Sequence, residues 1–292
     1  MYSVIEIKRR IRTIRQTRQI TKAMYLIASS KLSRAMEKYR ANHVYFEKIR
    51  STLKDIIVHS HEIDHPFFVP RGNERATYLV IAGNKGLCGA YNHNVLQTAL
   101  SHIQQHGGSA DIFVVGHVAR DFFTRKGYEV NDEFLDAAEN PNFYYSRDMA
   151  EQLIDAFSQN RTDELYIVYT HMESTVKQTP RVIKLLPVEL SAFLDVSLDV
   201  EYSADILYHP SPKAVLDLLI PKYLLGFIYG ALIQSFASEQ QARMMAMDTA
   251  TKNADEMIAR LQIKYNQARQ AIITNEISEI MGGVTALERR YS

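Results

Sequence analysis

Residues 212–282 read as one helix, about 70 residues and ~105 Å long at ~1.5 Å rise per residue. A helix of that length must bury a face against something. Met247, Ala250, Ala254, Met257, Leu261, Tyr265, Ala268 and Ile272 advance by threes and fours and lay an apolar seam along it. Their mean step of about 3.57 residues is slightly below a straight helical turn, which predicts left-handed winding about a partner. At the other end of the chain Val4, Ile7, Ile11, Ile14, Arg18, Thr21, Tyr25, Ala28, Leu32, Ala35 and Tyr39 repeat the pattern, at about 3.5 residues per step. This first helix is expected to run to about Ile57. Each seam is the natural partner of the other, so the chain is expected to form a long antiparallel coiled coil of its N- and C-terminal helices with a globular domain at its base. Pro221 removes a backbone donor inside the second helix and predicts a bend or restart near 218–220.

The segment between the helices changes character. Apolar runs at 76–82, 111–115, 165–170 and 181–186 read as strands, and 87–105, 117–126 and 145–157 read as helices. Strands alternating with helices indicate a small open sheet of Rossmann-like α/β type. The expected division is therefore a helix over 1–60, an α/β domain over 75–205 and a helix over 211–285. Asp132, Glu133, Asp136 and Glu139 read as a solvated acidic loop.

With 46 % apolar residues the chain has enough material for a sizeable core. Its 34 Lys and Arg against 33 Asp and Glu leave a formal charge of +1, so overall charge selects no partner. The distribution is more informative. Between Lys8 and Arg40 the first helix carries eleven basic residues against the single acid Glu37. That reads either as a solvated face or as a surface for an acidic partner. Nucleic acid is disfavoured, because the segment has no interleaved aromatic platform and no zipper with a separate basic region. The opening residues lack an apolar run of signal-peptide length, and the run 223–233 is shorter than the ~20 residues that span a bilayer.

Three places invite chemistry. The loop 83–89, Gly-Asn-Lys-Gly-Leu-Cys-Gly, follows a strand and opens a helix, where nucleotide-binding folds hold phosphate. Its glycines do not match GxGxxG and Lys85 is not followed by Ser or Thr, so a tight turn with close packing is the simpler account and no cofactor is expected. The lone cysteine, Cys88, sits near a helix start with Tyr91 and His93 close in sequence, but no third group orients them, so a buried apolar cysteine is expected. His59, His61 and His65 lie two and four apart in a proline-bounded loop, a spacing that fixes no coordination geometry, so no metal site is expected.

The sequence also carries a family resemblance. Ile20-Thr21-Lys22-Ala23-Met24, Ala28-Ser29-Ser30-Lys31-Leu32, Gly86-Leu87-Cys88-Gly89, Leu185-Leu186-Pro187, the run 238–247 beginning Ser-Glu-Gln-Gln-Ala-Arg, and the run 265–277 beginning Tyr-Asn-Gln-Ala-Arg-Gln resemble the gamma subunits of F-type ATP synthases. The motifs occur in the family's order along nearly the whole chain. The resemblance implies a non-catalytic rotor shaft that couples ion-driven rotation to conformational cycling of the catalytic beta subunits. It implies as partners three alpha and three beta subunits, an epsilon subunit and a ring of c subunits. Contact with the membrane would be only through the c ring, at the cytoplasmic face of a bacterial inner membrane, with no nucleic acid.

Carried over position by position, Met24, Arg243, Arg269, Gln270, Thr274 and Glu276 are expected to touch the alpha/beta ring, and Tyr208 and His209 the foot and the c ring. Ala28, Ser29 and Ser30 would let the paired helices approach closely. The chain departs from the family at His209, where an acid is usual, and at Asn84-Lys85, which replace a more usual Asp-Arg. Its tail 288–292 runs past the usual apolar end. The extra cysteine segment of redox-regulated forms is missing.

Overall fold

A computed structural model describes residues 4–59, 65–72, 74–174, 177–189, 193, 196 and 211–291. The chain divides into two compact units, Ala28–Arg243 and the pair of segments Met1–Ile27 and Met244–Ser292. The first helix, α1 (Val4–His59), and the last, α5 (Pro212–Tyr291), contribute to both.

In the unit 28–243, five strands form one sheet: β1 (Arg75–Ile81), β2 (Ser109–Val115), β3 (Val130–Asn131), β4 (Glu164–Met172) and β5 (Gln178–Leu186), in the order β3-β2-β1-β4-β5. The first four are parallel and β5 runs antiparallel at the edge. Pro180, opposite Thr170, is tolerated there because an edge strand leaves one row of donors without a ladder. Helices cover both faces, which is why β1 reads as an unbroken apolar run rather than an alternation. Tyr78 and Val80 face α2 (Tyr91–His106) and α3 (His117–Arg125), packing on Val95, Ala99 and Phe123. Leu79 and Ile81 face the opposite layer, made of α4 (Phe143–Ser158) and the α1 and α5 segments of this unit, through Met149, Leu153, Leu53, Ile56, Ile220 and Leu224.

Local chemistry fixes the element ends. Asn142 caps α4, its Oδ1 accepting from the Tyr145 amide at 3.0 Å. Gly116 leads from β2 into α3 at φ 95°, and a Cβ there would lie 2.4 Å from the Ala82 carbonyl oxygen. Only glycine fits. Where α1 and α5 pack in this unit, a Cβ on Gly226 would be 2.9 Å from the Phe46 ring, and the Asn42 amide donates to the Gly226 carbonyl at 3.2 Å.

Several expectations need correction. α5 is one helix through Pro221 with no restart; buried Ile220, Tyr223 and Leu224 anchor the turn that has lost a donor. α2 starts at Tyr91 rather than 87, because Leu87 and Gly89 hold positive φ of 62° and 58°. The four acids Asp132, Glu133, Asp136 and Glu139 are exposed as expected, but the loop also holds a 3-10 turn (Leu135–Ala138) and buries Phe134, Ala137 and Ala138, and Glu139 pairs with Lys85 at 3.0 Å. By length and composition alone α5 is apolar enough to cross a membrane. In the unit 28–243 its face with Leu216, Ile220, Leu224, Ile228 and Leu232 is spent on the core of the α/β domain.

The other unit is an antiparallel pair of helical segments. Thr21 and Thr251 share a hydroxyl hydrogen bond of 2.8 Å, and Arg18 pairs with Asp255 at 2.5 Å, so residue numbers fall on α5 as they rise on α1. The α1 seam is as expected, with Ile7, Ile11 and Thr21 buried and Val4, Ile14, Arg18 and Tyr25 half-buried. The α5 seam differs. It passes through Met247, Thr251, Ala254, Ile258, Leu261, Tyr265 and Ala268, while Met257 is 51 % and Ile272 46 % exposed. The observed mean step of about 3.5 residues is a tighter heptad than the sequence pattern suggested.

Candidate functional site

The crevice that a sheet of this order offers lies at the carboxyl ends of β1 and β4, next to the loop 83–89. Here α5 fills it. Ser235 Oγ accepts from the Thr170 amide at 3.1 Å, Ser238 Oγ donates to the Thr170 carbonyl at 3.4 Å, and a Cβ on Gly83 would lie 2.9 Å from Glu239 Oε1. The side chain of Asn92 ties the loop from inside, accepting from the Gly83 amide at 2.8 Å and donating to the Lys85 carbonyl at 3.1 Å. Arg243 closes the arrangement: Nη2 donates to Glu239 Oε1 at 2.6 Å and to the Gly86 carbonyl at 3.3 Å.

This geometry has consequences for chemistry. Burial pushes the Glu239 carboxyl up, against the pull of Arg243, so the place where a phosphate would sit is held by an acid. Cys88 is 1 % exposed, and burial followed by the nearby Glu239 pushes its thiol up, away from the reactive thiolate. The glycines serve a close-packed turn.

Among the described residues no group of three metal-ligating side chains comes together. His61 lies outside the described residues. His65 is buried, its Nδ1 accepting from the Phe67 amide at 3.2 Å and its Nε2 3.0 Å from Asp217 Oδ1; His59 sits 3.2 Å from Asp55. The two described histidines are thus taken by different partners.

The expected contact residues fall into three groups. Arg243 is half-buried and engaged within the chain, as above. Met24 is half-buried on α1, and Arg269, Gln270, Thr274 and Glu276 are all exposed along α5. Tyr208 and His209 lie outside the described residues. Around the exposed α5 positions stand apolar side chains that a seam would have hidden: Ile273 is 41 %, Ile277 56 % and Ile280 67 % exposed. On α1, Ile5, Ile20, Leu26 and Ile27 are likewise exposed. So much uncovered apolar surface on two paired helices marks an interaction surface. Basic residues border it: Lys8, Arg9, Arg12 and Arg15, with Tyr265, line a groove of about 540 Å³. An acidic counter-group is nonetheless present within the chain, since Asp255 neutralises Arg18.

Sequence reasoning missed one polar cluster altogether. Glu164 accepts from Lys184 Nζ at 2.8 Å, from His106 Nε2 at 2.8 Å and from Tyr166 Oη at 2.9 Å, while Tyr78 Oη bonds His102 Nδ1 at 2.9 Å. Burial pushes the Glu164 carboxyl up, but its three donors outweigh that and hold it below the usual range. The signal available in sequence was the pair His102 and His106, four apart on one helix face.

A protein-family model described as ATP synthase matches residues 3–287. The chain is 46 % identical over 289 residues to the ATP synthase gamma chain of Ruminiclostridium cellulolyticum, covering 97 % of this chain and 98 % of the relative. It is 42 % identical over 296 residues to that of Acetivibrio thermocellus, covering 99 % and 100 %. Among solved structures, a chain of the Euglena gracilis mitochondrial ATP synthase OSCP/F1/c-ring assembly aligns with TM-score 0.55 at 19 % identity, over 95 % of this chain and 94 % of that one. A chain of the Tetrahymena thermophila mitochondrial ATP synthase central stalk and c ring aligns with TM-score 0.56 at 20 % identity, over 79 % and 99 %. The fold of two long terminal helices about a five-stranded sheet is shared with these, and at this identity to full-length relatives the chain belongs to the ATP synthase gamma chain family.

Proposed function

We propose that the chain is the central rotor shaft of an F1Fo ATP synthase and is itself non-catalytic. Residues 1–60 and 211–285 would form the shaft, and 75–205 the domain at its foot. The observation that carries this reading is full-length similarity to gamma chains, combined with a paired-helix unit whose outward apolar and basic side chains this chain does not cover. The ring of three alpha and three beta subunits would surround that unit, with Met24, Arg269, Gln270, Thr274 and Glu276 among the contacts and Arg243 a further one. Epsilon and the c ring would bind at the foot, near Tyr208 and His209. This places the chain peripherally at the cytoplasmic face of a bacterial inner membrane.

The mechanism follows from asymmetry. A shaft of two unlike helices presents a different face to each of three equivalent beta subunits, and each face favours the conformation with which it makes the better contacts. Turning the shaft moves that preference from one subunit to the next. Long-range attraction between the basic α1 face and acidic partner surfaces gives a contact that slides without locking. Nothing in this cycle requires the shaft to make or break a covalent bond.

Co-expression with the alpha and beta subunits of the same source tests the reading. The expected product is a complex of three alpha, three beta and one copy of this chain that hydrolyses ATP. An alpha/beta ring that assembles and hydrolyses ATP at the same rate without this chain would overturn it.

A further inference from the structure

In the paired-helix unit the two segments that face each other near the start of α1 are one-sidedly cationic. Residues 4–17 of α1 carry five Lys and Arg against one acid, Glu6, and residues 257–275 of α5 carry three against none. The next acids along α5 are already matched, Asp255 with Arg18 at 2.5 Å and Glu256 with Arg260 at 3.7 Å. To the open groove of about 540 Å³ α1 contributes Lys8, Arg9, Arg12 and Arg15, α5 contributes Gln262 and Tyr265, and no carboxylate lines it. All four cations are exposed, and among the described residues none of them has an acidic partner. Lys8, Arg12 and Arg15 stand at i, i+4 and i+7, a stripe down one face of α1 that covers about 10 Å of helix axis. Like charges at this spacing repel and weaken the helix that carries them.

We infer that this groove binds a linear triphosphate, its successive phosphates meeting Lys8, Arg12 and Arg15 in turn. A compact anion with one centre of charge meets only part of the stripe, whereas a chain of linked phosphates follows it and relieves the repulsion along its length. Guanidinium forks match phosphate oxygens two at a time, and such charge-assisted bonds are about twice as strong as neutral ones. Gln262 and Tyr265 add an amide and a hydroxyl donor from the facing helix. Inorganic triphosphate and the triphosphate of a nucleotide share this chemistry, and the half-buried Tyr265 ring is the one surface in the groove on which a base could stack. The site does not depend on the rotor reading, since it is complete within the paired-helix unit of a single chain.

The test is calorimetric titration of the full chain at pH 7.5, low salt and no divalent cation, with sodium tripolyphosphate as the probe. A dissociation constant of about 0.1 mM or tighter is expected, with orthophosphate at least about tenfold weaker because it reaches fewer cations. The double variant Arg12→Gln, Arg15→Gln is expected to lose at least about tenfold in affinity for tripolyphosphate. The control Lys22→Gln, Arg40→Gln removes the same charge from exposed positions of α1 outside the groove and is expected to lose less than about threefold, since exposed charges beyond a screening length contribute little. All four substitutions are at exposed positions, and circular dichroism checks that helicity is kept. ATP assigns the source: affinity equal to that of tripolyphosphate means that the groove reads the phosphate chain alone, and a tighter affinity that Tyr265→Leu removes means that it takes a nucleotide. Absence of binding at millimolar tripolyphosphate, equal affinity for orthophosphate, or equal losses in the two double variants would overturn the proposal.

Discussion

The Arg243 guanidinium lies 2.6 Å from the Glu239 carboxylate, one turn back on the same helix, and the same nitrogen reaches the Gly86 carbonyl across 157 residues of sequence. Both side chains are largely buried, at 13 % and 7 % exposure. Breaking a buried pair costs more than removing it, because the partner left behind is a charge without solvent. Arg243→Met is therefore expected to destabilise the chain by ~3 kcal/mol at pH 8. Adding Glu239→Gln should recover more than half of the loss. Burial already raises the Glu239 carboxyl, so without Arg243 it rises further, and the variant's deficit should grow with pH and shrink toward pH 5. Urea unfolding at pH 5 and 8 measures this, and a deficit independent of pH would show that Arg243 acts through the loop alone.

Gly116 offers a sharper case. Its φ of 95° is hostile to any L side chain, and the added Cβ would sit 2.4 Å from one backbone oxygen and 2.8 Å from another, at Ala82 and Gly83. Neither neighbour can swing away. Gly116→Ala is expected to cost about 4 kcal/mol or more, at the top of the range for single substitutions. Gly83→Ala meets a side chain instead, Glu239 Oε1 at 2.9 Å, and should cost ~1–3 kcal/mol. Thermal melts of the two variants should rank them in that order.

The sequence made the seams legible because a coiled coil repeats itself. On α1 each expected position is buried or half-buried, although apolar Ile5, Ile20, Met24, Leu26 and Ile27 adjoin seam residues. On α5 the reading slips at Met257, because Met257 and Ile258 are adjacent apolar residues and periodicity alone does not choose between them. Ile272 and Ile277 look like seam continuation and are exposed, as an intermolecular surface is apolar for the same reason as an intramolecular one. The long strands were legible as apolar runs, but β3 has only Val130 and Asn131, too short for any pattern. Neither the Arg243 latch nor the cage around Glu164 was legible, because their members are brought together by the fold from distant segments.

The seam assignment is tested by a pair of charges. Ala254 is 8 % exposed in the paired-helix unit and Met257 is 51 % exposed. A glutamate at 254 would be forced into the helix contact or would push the helices apart. Ala254→Glu is expected to lower the melting temperature and reduce helicity of the full chain, while Met257→Glu should leave both near the starting values. Comparable losses at both positions would restore the seam that the sequence pattern suggested, which contains both residues.

Stability should also fall as the solution is acidified through the histidine range. Burial, followed by the charge of His106, pushes His102 below its ordinary value, and burial followed by Arg181 does the same to His171. For each, the unfolded chain binds a proton at a pH where the folded chain does not. The stability tied to the neutral rings is therefore fully present above the unfolded value near 6.5 and is lost as pH falls below it toward the folded value. The wild-type chain should melt at a lower temperature at pH 5 than at pH 7.5. In the double variant His102→Asn, His171→Gln the difference should shrink. An equal pH dependence in wild type and double variant would place the proton uptake elsewhere and remove these two rings from the account.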